Sequence, residues 1–313
     1  MKDTDVTAAS GLRLGPAEPR QEGRPPSNPL AGVLEAVPPP GLVILAILSI
    51  QVGAALAIQL FSVIGPLGTV FCRVGLSAII FVIFIRPKID TTTVKSGHLL
   101  VLYGFTLAAM NWCFYEAIAR IPLGIAVTIE FMGPLSVAVA TSRRRTDLLW
   151  VAIALSGLVM LAPDVGSGLD RLGVLFAAIA AVGWAAFILL SKHVGQALPG
   201  NTGLAFGMVI ATLFLLPFGV GAAMPVLFDA QLLLGVLAVA VLSTTIPFFL
   251  EFEALRRLPA RTYSILVTLE PAIAALVAAI LLGEALGVDA IFAIVCVTAA
   301  AIGATLFRDR YSP

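Results

Sequence analysis

FYEAIARIPLGIAVTIEFMGP, residues 114–134, is the stretch on which the reading of this chain turns. Between Ile121 and Val139 only Glu130 is ionisable; everything around it is apolar, small or hydroxylated. The opening motif then returns. EAIARIP at 116–122 reappears as EALRRLP at 253–259, a shift of 137 residues, and the same shift carries Pro134 onto Pro271, which follows a second carboxylate, Glu270. A carboxylate inside an apolar run, and a repeat of the motif that precedes it, suggest a membrane protein built from two related halves.

Composition supports this. Of 313 residues, 59% are apolar and 12% charged, against roughly 25% charged in a soluble domain. The mean hydropathy of +1.04 does not suit a water-facing surface. The net charge of +1 gives no reason to expect nucleic acid as a partner. Cys72, Cys113 and Cys296 all sit in apolar runs and read as buried small residues, with no metal or disulfide framework. Residues 1–40 are rich in Pro, Gly and charge and read as a disordered cytoplasmic tail, not a signal peptide.

A spanning helix needs about 20 mainly apolar residues. Cutting at charges and turn residues predicts ten, near 42–61, 66–85, 97–118, 122–141, 147–163, 171–191, 203–222, 231–251, 261–283 and 287–307. With the N-terminus inside, sixteen of the 19 lysines and arginines fall on the cytoplasmic side. Arg120 and Arg171 fall outside, and Arg73 lies within a span. The outer loops carry Asp164, Asp170, Asp229, Glu284 and Asp289. By the positive-inside rule both termini are expected in the cytoplasm. The 137-residue shift maps spans 3 and 4 onto 8 and 9. Five spans per half is odd, so the second half is expected upside down. The expected organisation is an all-α polytopic membrane protein: a tail at 1–40, repeats at 41–164 and 170–307, and a cytoplasmic C-terminus at 308–313.

At these residues the chain resembles a known family. IPLGIAVTIEFMGPLSVAVATSRR at 121–144, SIQVGAALAIQLF at 49–61 and LRRLPARTYSILVTLEPAIAA at 255–275 are similar to the fourth, first and ninth helices of the inner-membrane threonine/homoserine exporters. Those belong to the EamA-like branch of the drug/metabolite transporter superfamily. Arg73 and GWAAFILLSK at 183–192 also fit the superfamily pattern, and the likeness covers about 42–307. It implies two inverted EamA repeats and proton-driven efflux of small neutral amino acids across the inner membrane. It also implies no cofactor, and amino acid, protons and the bilayer as partners. A monomer or weak homodimer is expected. The superfamily often has a lysine late in its first helix; this chain has Ile58 there. A broader drug or metabolite permease of the same fold is the alternative.

Glu130 lies about 12 Å into span 4 at 1.5 Å per residue, and Glu270 is expected at a similar depth from the opposite face. A charge at such depth costs at least about 2.5–3.5 kcal/mol. Burial penalises the charged form, which suits groups that take and release a proton. Both are therefore candidates for substrate binding and proton coupling; the bland reading is a fixed pair with Arg73, which is expected to act as a structural ion-pair partner. Proline at 134 frees the carbonyl of Glu130, and proline at 271 that of Val267. Gln51, Asn111, Tyr115, Trp184 and Tyr263 join the carboxylates as candidate substrate contacts, with Thr244, Thr245 and Thr268 nearby in type. A zwitterion needs donors, acceptors and an apolar wall, and these supply them. Glu116 and Glu253 are expected to pair with Arg120 and Arg257, one helical turn on. Enzyme classes fare poorly: there is no histidine pair for a metalloprotease, no mid-span histidine base and no buried aspartate pair.

Overall fold

The computed structural model describes residues 37–121, 123–142, 145–161, 170–270, 272–273 and 288–306. Most of the expected tail, Pro122, Arg143, Arg144, Asp164, Pro271, Glu284, Arg308 and Arg310 lie outside the described residues. Regular structure among those described is entirely helical. In order the helices are α1 (Pro39–Ile85), α2 (Thr91–Lys95), α3 (Gly97–Ile118), α4 (Leu123–Glu130), α5 (Met132–Ala140) and α6 (Arg145–Leu161). Then follow α7 (Arg171–Ala197), α8 (Thr202–Ala223), α9 (Ala230–Ala240), α10 (Ile246–Arg257), α11 (Ala260–Leu266) and α12 (Val288–Leu306). Helix occurs in every one of the ten expected spans, the ninth being described only to residue 273. Five stretches are long and apolar enough to cross a bilayer alone: Val63–Ile85, Gly97–Ile118, Arg171–Ala197, Thr202–Leu227 and Ala230–Arg257. Large apolar side chains such as Ile83, Val182, Leu213 and Leu234 face outward, as hydrocarbon solvent requires.

Several boundaries differ from the expected ones in instructive ways. Helix begins at Pro39, inside the expected tail, because proline suits the first helical turn. Spans 1 and 2 follow each other without a loop: α1 runs through both and reverses at Gly65, whose φ of 67° only glycine adopts readily, with Pro66 starting the second limb. Spans 4 and 9 are each broken. Span 4 breaks between α4 and α5 at Phe131 (φ −64°, ψ −14°), and α11 ends at Val267 (φ −65°, ψ −19°). Under the 137-residue shift Phe131 maps onto Thr268, so the two breaks fall one residue apart. Span 8 widens into a π-turn, Val241–Thr245, between α9 and α10. The short helix α2 is capped by Asp90; the backbone N–H and hydroxyl of Thr93 hold that exposed carboxyl below the usual carboxylate range.

Packing repeats the internal relation. The second limb of α1 lies on α8, α5 lies on α11, and α6 lies on α12. Each of spans 2, 4 and 5 thus packs against its own counterpart five spans on. The contact of α3 with α7 has its match in that of the first limb of α1 with span 8. Glycine sets the closest of these approaches. A methyl group on Gly53 would come 2.6 Å from the backbone nitrogen of Ser243. One on Gly133 would meet the carbonyl of Ala181, so span 4 presses on span 6 just past its break. Broken helices 4 and 9 therefore meet at the centre, held by spans 1, 3, 6 and 8.

Candidate functional site

The polar side chains picked out along the sequence gather around those breaks. Arg73 is 6% exposed, the one lysine or arginine among the described residues that is so deeply buried. Its guanidinium donates to the Thr244 hydroxyl (3.0 Å) and the Ser243 carbonyl (3.4 Å) in the π-turn, and to the side-chain oxygen of Asn111. A π-turn leaves backbone carbonyls outside the ordinary ladder, which explains how Ser243 comes to serve a side chain. Asn111 is fixed in turn by donating its amide to Leu107 O at 2.8 Å. The Tyr115 ring lies 4.9 Å from the guanidinium carbon, at cation–π range. Three candidates from spans 2 and 3 are thus one contact group.

Glu130, the last residue of α4, and Glu270, just past the span-9 break, are both partly accessible. Glu130 lies within electrostatic reach of Glu270 and Arg73, so it faces the bundle interior and not lipid. The two carboxylates are not strict counterparts, however: the 137-residue shift carries Glu130 onto Val267 and Glu270 onto Gly133. They approach because their helices cross. Gln51 on span 1 donates to the Glu270 carbonyl at 3.2 Å, tying the span-9 break to the first helix. Trp184 is buried in mid-span and stands edge-on to Phe131 at 4.9 Å, walling the span-4 break.

Arg73 differs from its expected part. No carboxylate among the described residues is within ion-pair distance of it. Glu130 is close enough to feel its charge but not to touch it, and neutral oxygens occupy the guanidinium instead. The pairs expected at helix ends are present. Glu116 pairs with Arg120, which also lies 3.9 Å from Asp170. Glu253 accepts from Arg257 Nε at 2.8 Å and from Arg256 at 3.0 Å.

One carboxylate escaped sequence reasoning. Glu251 on α10 is 6% exposed and lies within electrostatic reach of Glu270, Tyr263 and Tyr103. It has no ion-pair partner among the described residues. Its signal was present: it stands seven residues after Thr244, two helical turns along the same face, but its nearness to Glu253 and two arginines made it look like a helix end. Tyr263 is fully buried, its hydroxyl beside Glu251 with no hydrogen bond of ordinary geometry. Tyr103, also fully buried, accepts from Ser191 at 3.1 Å and stacks on Phe187. A separate groove of about 490 Å³ between spans 2 and 7, lined by residues such as Phe71, Leu76, Ile79 and Leu213, is almost pure hydrocarbon. The hydroxyl in its lining, that of Thr212, donates to the Met208 carbonyl at 2.8 Å.

Known proteins share this sequence and fold. The sequence model of the EamA-like transporter family matches residues 171–306. The chain is 40% identical over 272 residues to the threonine/homoserine exporter RhtA of Salmonella typhimurium (strain SL1344), covering 86% of this chain and 92% of that protein. It is 40% identical over 268 residues to the protein of the same name from Escherichia coli (strain K12), covering 85% and 90%. One crystal structure superimposes with a TM-score of 0.65 at 18% identity, covering 85% of this chain and 96% of that one, and so shares the fold.

Proposed function

The chain belongs to the EamA-like transporters of the drug/metabolite transporter superfamily, and from that premise we propose that it exports small neutral amino acids of the threonine and homoserine type. It is a multi-pass membrane transporter and not an enzyme. The observation that carries the substrate class is 40% identity sustained over most of the chain to exporters bearing that name. The polar cluster supports the reading, because it offers what a zwitterion with a short polar side chain requires: carboxylates, hydrogen-bond donors and an aromatic wall.

The proposed mechanism is alternating access coupled to protons in the inner membrane, with both termini cytoplasmic. Glu130 holds the substrate ammonium while ionised. A proton arriving from outside neutralises it and releases the amino acid; loss of that proton to the cytoplasm resets the site. Only a ligand with different affinity for the two facing states can drive such alternation, and a carboxylate that must be either protonated or substrate-paired supplies the difference. Glu270 and Glu251, each within electrostatic reach of the next, continue the line of carboxylates along the crossing helices.

The test is export. Cells lacking other exporters should survive toxic homoserine or threonine when the protein is made, and should release the labelled amino acid. Resistance confined to lipophilic cations would replace this reading with that of a multidrug permease.

A further inference from the structure

We infer that Arg73 is the receptor for the substrate's carboxylate and forms, with Glu130, a socket for a zwitterion. This rests on the amino-acid reading above and names how that substrate is held. The starting observation is an incompletely used cation. Arg73 is buried, and its Nε–H has no acceptor among the described residues. Its other contacts are a hydroxyl, a backbone carbonyl and an amide oxygen, with an aromatic face beside them. All are neutral. A guanidinium that serves only as structure is expected to spend its five donors and to meet an anion when taken out of water. Here two of the five donors, Nε–H and one on Nη2, are left over among the described residues, and no anion touches the group.

The position of the two unused donors is informative. Nε–H and an adjacent Nη–H form a planar fork that matches the two oxygens of a carboxylate. Ser243, Thr244 and Asn111 fix the guanidinium plane from the Nη atoms, so the orientation is set before a ligand arrives. Glu130 is near enough to interact with Arg73 but not to pair with it. With Glu130 ionised, as it is in the substrate-holding state, the two groups make a short fixed dipole inside one apolar bundle. A free α-amino acid is the complementary dipole: its carboxylate meets the arginine while its ammonium meets the glutamate. The pair is kept from collapsing by the neutral bed under Arg73, above all by Asn111, which is itself anchored to Leu107. Where an arginine–glutamate bridge would close the site, the separation leaves it open.

The experiment compares threonine with its methyl ester, which retains the ammonium and side chain and lacks the carboxylate. Purified protein in liposomes is assayed for threonine uptake in competition with each compound, and in detergent for thermal protection by each. The wild type should be protected by threonine and not by the ester. Arg73→Gln should raise the KM for threonine by roughly 10- to 100-fold, the scale of a lost charged hydrogen-bond pair, and should bring acid and ester to equal potency. Arg73→Lys, keeping charge without the fork, should fall between. If the wild type binds acid and ester alike, the inference is wrong while the amino-acid reading stands. If it binds neither threonine, homoserine nor their esters, both fall together. The wild-type comparison decides the matter even if the variants do not fold.

Discussion

Gly53→Ala adds one methyl group where span 1 crosses the π-turn of span 8. The added carbon would lie 2.6 Å from Ser243 N, 2.8 Å from Ser243 Cβ and 2.9 Å from Leu242 C. Two of these are backbone atoms, which cannot rotate away. Restoring ordinary contact at 3.4 Å requires the helices to part by about 0.8 Å. Overpacking of this kind costs about 1–3 kcal/mol. Alanine returns up to about 1 kcal/mol through its better helix propensity. The net is a loss of about 0–2 kcal/mol, so the melting temperature should fall by about 0–8 °C, at about 2–4 °C per kcal/mol. The functional loss should be larger. Ser243 O already accepts from Arg73 at 3.4 Å, and a shift of this size takes it out of range. Thr244 moves with it. Misplacing a binding group by about 1 Å can cost on the order of a hundredfold in rate. The control is Gly221→Ala, where nothing lies within 4 Å and the same propensity gain should stabilise. Thermal unfolding in detergent and threonine flux in liposomes are measured on both. If Gly53→Ala gains stability as Gly221→Ala does and transports normally, the close crossing of spans 1 and 8 is not there, and the account of how Arg73 is seated fails with it.

Glu130→Gln imitates the protonated carboxyl at almost constant volume, so expression should survive while the pH dependence of uptake into inverted vesicles disappears; Glu270→Gln should do less harm. Unchanged pH dependence in Glu130→Gln would make that carboxylate structural. Reporter fusions should place the loop after Asp229 outside and the chain after Lys192 inside, and the reverse pattern would overturn the orientation. Tyr263→Phe removes a buried hydroxyl that has no well-formed hydrogen bond, so the melting temperature should hold or rise; a fall in transport at unchanged stability would show that the hydroxyl serves the substrate or proton path, whereas a large loss of stability would show that its contact with Glu251 is a full hydrogen bond.

The amino-acid sequence by itself determined the solvent, the class and the plan. Lipid forces every backbone polar group to be satisfied within a helix, so length and hydropathy alone predict spans, and helix is found in each predicted one. A 137-residue repeat over an odd number of spans pointed to two related halves, and the breaks at Phe131 and Val267 fall one residue apart under that shift, three and four residues before prolines that the repeat shares, Pro134 and Pro271. Helix-end pairs such as Glu116–Arg120 were legible because they depend only on spacing along one helix. The rest was decided between helices. Which oxygens seat Arg73 depends on span 8 crossing spans 1 and 2, and a π-turn leaves no mark in hydropathy. An arginine and a glutamate, both mid-span, look like a natural pair on paper, yet packing holds them apart and gives the arginine a neutral bed. Glu251 went unnoticed because a buried carboxylate and a helix-end carboxylate share one sequence neighbourhood. Only the packing of spans 3 and 9 against it makes the difference, since desolvation is a property of what surrounds a group in space and not of what precedes it in the chain.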